Sequence, residues 1–292
     1  MASIKFCGNP VTNKEVNLIR ELSEEFWGIS RTELASTVCE LLGWKRPGGG
    51  LKTVECRQFL EGLASHSILI LPKPRQGKPK GAKTRTHRTS DGEYGVPLEG
   101  SVKDVKPVSL VRVENTADRE LWKELVDRYH YLGFKVAFGG CLRYLIKVQQ
   151  PVDQVVGCLQ FSSPAWKVGA RDVWIGWDRS TREKHLQKVV QNSRFLILPW
   201  CKVRGLASHI LGQAARRIVG DWASAFNVTA VMLETFVEKE RFNGTCYRAA
   251  NWIYLGETKG RGRMDRTHKM SEPVKSVWVY PLMRSFRDVL ST

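Results

Sequence analysis

Residues 195–236 read FLILPWCKVRGLASHILGQAARRIVGDWASAFNVTAVMLETF, and this stretch decides the fold of the larger part of the chain. Phe195–Leu198 is a short apolar run that predicts a strand. Leu206–Phe226 places apolar residues at helical spacing and predicts a long amphipathic helix. Val228–Phe236 contains consecutive large apolar residues, which is typical of a buried strand. A strand, a long helix and a buried strand in this order predict an α/β domain.

The sequence before this stretch extends the same pattern. A helix is predicted over Asp118–Tyr129, and two strands over Gly140–Val148 and Gln154–Phe161. The apolar and aromatic run Val173–Trp177 predicts a further strand. Because strands and helices interleave, residues 102–292 are expected to form one α/β domain around a mixed sheet.

Residues 1–72 are predicted to form a winged helix-turn-helix-like DNA-binding domain. Three helical patterns are followed by the apolar run Ile68–Leu71, which reads as a short strand, and Ser30 begins a capping box at the second helix. The third helix presents residue types that contact phosphates and base edges, namely Lys52, Arg57 and Gln58. The alternative is a three-helix bundle that meets a protein partner.

The charge balance favours an anionic partner. Lys and Arg number 46 against 29 Asp and Glu, a formal net charge of +17. Nucleic acid is the first candidate, because cations that neutralise phosphates release counterions. Residues 73–101 are expected to be a disordered basic linker, either a solvated tether or an arm that lies along DNA. The cations singled out there are Lys78, Lys80, Lys83 and Arg85. An acidic membrane surface, or no anionic partner at all, are the alternatives.

The sequence has no features of a membrane or secreted protein. It contains no run of 18 apolar residues and begins without a signal-peptide pattern. Its seven cysteines are scattered and never spaced C-x-x-C, so disulfides and zinc knuckles are not expected. A cytoplasmic location is predicted.

A second group of basic residues lies late in the chain and is interleaved with aromatic residues. Its nucleic-acid-binding candidates are Arg248, Lys259, Arg261 and Arg263. The aromatic residues between and beside them are Phe242, Tyr247 and Trp252. Cations together with aromatic faces suit phosphate tracking and stacking on exposed bases. A solvated surface loop is the alternative.

Three carboxylates are candidates for chemistry. Glu234 ends an apolar strand, and Asp172 and Asp178 flank Val173–Trp177. If they meet, they could bind Mg²⁺, as in nucleases and transposases, with Glu234 and Asp172 as catalytic residues. The alternative is a set of ion pairs, for example between Asp172 and Arg171 or Arg194.

The larger domain resembles the GNAT acetyltransferase fold, in which a strand, a phosphate-binding loop, a long helix, a strand, a short helix and a strand follow in order. The loop would be Lys202–Ala207, where the family has Gln or Arg, two residues, Gly, one residue, then Gly or Ala. This chain departs from the pattern at Lys202 and at Asn251, where the family usually has glycine. The resemblance implies acyl-coenzyme A as cofactor and Tyr247 as general acid.

A longer resemblance is carried by ordered blocks of sequence, namely Tyr129–Gly133, Arg171–Trp177, Asn192–Trp200, Leu233–Val237, Gly244–Trp252 and Lys259–Arg263. With these blocks and a similar amino-terminal segment, nearly the whole chain resembles the DruA family of Druantia anti-phage systems. It implies a bacterial protein of phage defence or of mobile elements. Other defence-system proteins, including a helicase, are expected partners. Three functions are therefore open: a DNA-binding defence component, a metal-dependent DNA-cutting or joining enzyme, and an acyltransferase.

Overall fold

A computed structural model describes residues 4–25, 30–47, 50–72, 86–137, 139–258, 260 and 273–291. These residues form two compact units. The first contains the described residues up to 72 together with 135–141, and the second contains 86–134 and 142–291. Among the described residues, no helix is long and apolar enough to cross a membrane.

The first unit consists of a short hairpin and three helices around an apolar core. Ser30 Oγ accepts a hydrogen bond from the amide of Glu33 at 3.1 Å, so the predicted cap of the second helix is confirmed. Ile19, Leu34 and Leu60 are fully buried between the helices. The elements are β1 (Lys5–Phe6), β2 (Asn9–Pro10), α1 (Asn13–Glu25), α2 (Arg31–Leu41) and α3 (Thr53–Ser65).

The run Ile68–Leu71 does not form the predicted strand. Arg20 Nε donates to the carbonyl of Ile68 at 3.0 Å, and the Ser23 hydroxyl donates to the carbonyl of Ile70. Side chains of α1 therefore donate hydrogen bonds to these carbonyls. In a winged helix a neighbouring strand would donate them. The strand prediction was wrong, and in the described part of the chain no second strand pairs with this run.

The second unit is built on a seven-stranded mixed sheet in the order β10-β11-β9-β7-β6-β5-β4. β7 and β9 are parallel, and β3 and β8 form a separate parallel pair. The strands are β3 (Leu98–Ser101), β4 (Val108–Arg112), β5 (Cys141–Val148), β6 (Gln154–Ser162), β7 (Val189–Ile197), β8 (Cys201–Arg204), β9 (Met232–Glu238), β10 (Ile253–Glu257) and β11 (Lys275–Pro281). The helices are α4 (Thr116–Tyr129), α5 (Gly169–Ile175), α6 (Arg179–His185), α7 (Leu206–Phe226), α8 (Thr245–Ala249) and α9 (Phe286–Ser291).

The chain order confirms the expected mixed α/β architecture. After β8, Gly205 takes the left-handed conformation with φ of 78° and opens α7, which has the bounds that the sequence predicts. β9, α8 and β10 then follow, as in the GNAT outline. The buried residues of α7, such as Ile210, Ile218 and Trp222, lie on one face of the helix.

Two segments differ from their predicted structure. Val173–Trp177 was expected to be a strand, but Gly169–Ile175 forms helix α5, which ends where Gly176 adopts φ of 90°. Residues 86–101 were expected to belong to a disordered linker. Instead, Ser90–Gly92 forms a 3-10 turn, and Thr89 donates to the carboxylate of Glu124 through its amide and its hydroxyl, both at 2.7 Å. The preceding residues 73–85 lie outside the described residues.

Candidate functional site

The centre of the sheet opens where β7 and β9 part. The two strands pair only from Val189 to Asn192 and from Met232 to Thr235. Beyond these residues β7 stays paired with β6, and β9 stays paired with β11. Asn192 and Thr235 therefore stand at the fork of the sheet, where side chains are not covered by a neighbouring strand on the parting side.

A buried polar cluster fills this fork. The Tyr247 hydroxyl donates to Asn192 Oδ1 at 2.8 Å, and Thr235 Oγ1 donates to the carbonyl of Asn192 at 3.0 Å. Gly244 starts the helix that carries Tyr247, with φ of 67° and with Trp278 too close to admit a Cβ. Burial raises the pKa of Tyr247, so its proton stays on the phenol at neutral pH. The geometry gives Tyr247 a structural hydrogen bond at the fork.

Glu234 and Asp172 lie in a buried ion-pair network. Arg171, which is fully buried, donates to Glu234 Oε2 at 2.8 Å and to Asp172 Oδ1 at 3.0 and 2.8 Å. Arg182 reaches Asp172 Oδ2 at 3.2 Å, and the amide of Ala165 donates to Glu234 Oε1 at 3.0 Å. The charges of two guanidinium groups thus balance those of two carboxylates. The pair of Asp172 and Arg171 is the ion pair that the sequence analysis gave as the alternative to a metal site.

Asp178 takes part in a different contact. Its carboxylate caps α6 by accepting from the Thr181 amide at 2.7 Å and the Ser180 hydroxyl at 3.0 Å. Hydrogen bonds from the Thr181 amide, the Thr181 hydroxyl and the Ser180 hydroxyl hold the pKa of Asp178 below its usual value. No group of three His, Cys, Asp or Glu side chains suited to a metal ion occurs among the described residues. The expected Mg²⁺ site of Asp172, Asp178 and Glu234 is therefore not what the structure has. Asp178 caps a helix, whereas Asp172 and Glu234 belong to an ion-pair network.

The nucleic-acid candidates of the first unit lie on α3 or directly before it, among acidic residues. Lys52 precedes the helix, while Arg57 and Gln58 are exposed on it. Arg57 faces Glu61 at 4.0 Å, and Arg46 contacts the neighbouring Glu55 at 2.7 Å. Residues 1–72 carry eight Lys and Arg against eight Asp and Glu, so this part of the chain has no net charge.

The remaining candidates are divided between described and undescribed residues. Arg248 is exposed on α8, with its guanidinium 5.9 Å from the ring centroid of Trp278. Of the three aromatic residues expected to stack on bases, Tyr247 and Trp252 are buried, and Phe242 is 51% exposed. The candidates outside the described residues are Lys78, Lys80, Lys83, Arg85, Lys259, Arg261 and Arg263.

The sequence analysis missed a basic cluster along the first half of α7. Lys103 and Arg204 lower the pKa of Asp104, after the larger effect of hydrogen bonds from Ser101. Burial, followed by the charges of two further cations, lowers the pKa of His209. The four cations that act on these two groups are all exposed, and two of them lie near the Asp104 carboxylate. The α7 basic cluster consists of Lys103, Lys106, Arg204 and Arg216.

Comparison with known families identifies the chain. The family model described as Druantia protein DruA matches residues 63–275, from the end of α3 into β11. The chain belongs to the DruA family. This confirms the resemblance that the ordered sequence blocks indicate. A search of curated proteins finds no match.

Solved structures similar to this DruA-family chain include GNAT acetyltransferases. A spermidine N-acetyltransferase chimera from Vibrio cholerae is 10% identical over 60% of this chain and 95% of its own, with a TM-score of 0.39. The Vibrio cholerae enzyme in complex with CoA and spermine is 10% identical over 59% and 92%, with a TM-score of 0.38. The order of strands and helices in the second unit defines its mixed α/β fold.

Proposed function

We propose that this DruA-family chain binds DNA as a component of a Druantia-type anti-phage defence system. Membership of the family supports the defence setting, in which further proteins such as a helicase are expected partners. The distribution of charge supports the binding of DNA. The whole net charge of +17 lies beyond residue 72, because residues 1–72 are balanced.

The charge distribution also indicates which residues contact the phosphates. Residues 73–85 contain six Lys and Arg and no acidic residue. The α7 basic cluster adds four exposed cations on the second unit. On α3, by contrast, Arg57 faces Glu61. Since phosphate contacts supply most of the electrostatic affinity for DNA, we infer that α3 contributes less affinity than residues 73–85 and the second unit.

Two variants of the full chain test this proposal by fluorescence anisotropy on labelled duplex DNA across a salt series. Replacing the six cations of 73–85 with Gln should weaken binding and reduce the slope of log K against log salt by up to about five. Replacing Lys52, Arg57 and Gln58 with Ala should change that slope by no more than about one. A change of this size corresponds to the loss of a single phosphate contact. Loss of binding in the α3 variant alone would contradict the proposed distribution.

An acyltransferase is the second candidate, because β7 and β9 part within the seven-stranded sheet, and Gly205 turns the chain from β8, in the separate β3–β8 pair, into α7. Backbone amides at such a helix start can bind pyrophosphate. This candidate predicts that coenzyme A at 100 times its Kd stabilises the fold by about 2.7 kcal/mol in a thermal melt. An unchanged melting temperature at millimolar coenzyme A would eliminate it.

A further inference from the structure

We propose that Phe242, supported by Tyr131 and Arg241, stacks on an unpaired base of single-stranded or locally melted DNA. This inference rests on the proposed function and adds the form of DNA that the second unit recognises. Phe242 is 51% exposed, whereas aromatic side chains of this size are usually placed where most of their surface is covered. We call Tyr131, Arg241 and Phe242 the aromatic platform.

The platform is built from two chain segments that meet at Glu238. The amides of Arg241 and Phe242 both donate to the carbonyl of Glu238, at 3.2 and 2.9 Å, so a tight turn after β9 places these two side chains. Arg241 Nε also contacts the Glu238 carboxylate at 2.9 Å. Tyr131, which follows α4, lies near the same carboxylate: burial raises the pKa of Tyr131, and the charge of Glu238 raises it further. One buried residue, Glu238, therefore positions Arg241 and Phe242 and lies near Tyr131.

The rings are held at defined distances. The centroids of Tyr131 and Phe242 are 5.5 Å apart at an angle of 56°. His130 stacks on Tyr131 at 4.9 Å and 23°, and the Arg241 guanidinium lies 5.2 Å from the Tyr131 centroid. Tyr131 is thus held by several neighbours, while half of the Phe242 surface is open to solvent. A rigid, partly open aromatic ring is the feature that binds a base without sequence preference.

The charges near the platform suit a nucleic-acid strand. The side chain of Arg241 is 56% exposed, so it can contact a phosphate while it remains beside Tyr131. Burial, together with the charge of Arg194, lowers the pKa of His130 to about 4, so its ring is neutral at pH 7 and stacks as an uncharged plane. In paired DNA the base faces are covered by their neighbours, and only an unpaired base can lie against Phe242.

The test compares the full-length wild type with Phe242→Ala and Tyr131→Ala on a single-stranded oligonucleotide containing 2-aminopurine and on the matching duplex. Stacking on the platform should quench the 2-aminopurine fluorescence when the wild type binds. Both variants should lose this quenching and bind the single strand about 5- to 150-fold more weakly. Their affinity for the duplex should change less than twofold.

Trp166→Ala is the matched control, because Trp166 is 46% exposed and also lies near an arginine, Arg182 at 5.8 Å, outside the platform. It should bind both DNAs as the wild type does. If Phe242→Ala binds the single strand with unchanged affinity and quenching while the wild type binds both DNAs, the platform is overturned and DNA binding stands. If the wild type binds neither DNA, both proposals are overturned.

Discussion

Replacing Arg171 with Met should strongly destabilise the second unit. Arg171 is fully buried and donates to Glu234, to Asp172 and to the carbonyl of Ala165. Met retains much of the volume of the side chain but provides no donor and no charge. Among the described residues, Glu234 would then keep only the Ala165 amide at 3.0 Å, and Asp172 only Arg182 at 3.2 Å.

The magnitude follows from the burial of the carboxylates. The side chain of Glu234 is 0% exposed and that of Asp172 is 8% exposed, so water cannot replace the lost guanidinium. Removing one partner of a buried ion pair costs about 3–5 kcal/mol. For a unit of this size, 1 kcal/mol corresponds to a change in melting temperature of about 2–4 °C. The expected decrease is therefore about 6–20 °C.

Urea unfolding followed by tryptophan fluorescence measures this free energy, with the slope m checked for constancy. The control is Arg179→Met, because Arg179 contacts Glu183 at 2.9 Å while 81% of its side chain is exposed. This surface pair should contribute less than 1 kcal/mol. A loss below 1 kcal/mol for Arg171→Met would refute the buried network and reopen the metal-site interpretation of Glu234 and Asp172.

Two further predictions concern stability. Burial and the charge of Arg194 lower the pKa of His130 to about 4. Between pH 6.5 and pH 4 the unfolded chain therefore binds a proton that the folded chain does not bind. The free energy of unfolding falls as the pH falls through this range. His130→Asn should remove about 2–3 kcal/mol of this acid destabilisation in urea titrations at pH 7 and pH 4.5, and an unchanged pH dependence would contradict the assignment. Gly157→Ala would place a Cβ 2.3 Å from the carbonyl oxygen of Leu196 and should cost more than about 2 kcal/mol, whereas Gly169→Ala, with open space at its Cβ, should change stability by less than about 0.5 kcal/mol in the same assay.

The sequence correctly predicted those elements that depend on residues close together in the chain. The bounds of α7 were predicted correctly because its apolar residues repeat over 21 residues and Gly205 precedes the first turn. The cap at Ser30 was found from the spacing of its partner Glu33. The run Val173–Trp177 was ambiguous, because a short apolar run fits a strand and a helix equally. Gly176 was the available signal for a helix end.

The candidate site could be predicted only in part, because its contacts join residues far apart in the chain. Arg171 and Glu234 are separated by 63 positions, and the sequence analysis named Asp172, the neighbour of Arg171, as its partner but not Glu234. Tyr131 and Phe242 meet through Glu238, which no spacing rule reveals. Ile68–Leu71 was assigned as a strand because its pattern gives no sign that Arg20 and Ser23 bind its carbonyls.

Binding of the full-length protein to labelled duplex DNA at about 50 and 200 mM salt, with and without Mg²⁺, tests the central claim most directly. We predict binding that weakens by about 10³-fold or more between the two salt concentrations, as expected when six or more phosphates are neutralised. We predict no cleaved or joined product with Mg²⁺, since Arg171 occupies Glu234 and Asp172. No binding at 50 mM salt, or binding that is insensitive to salt, would contradict the account.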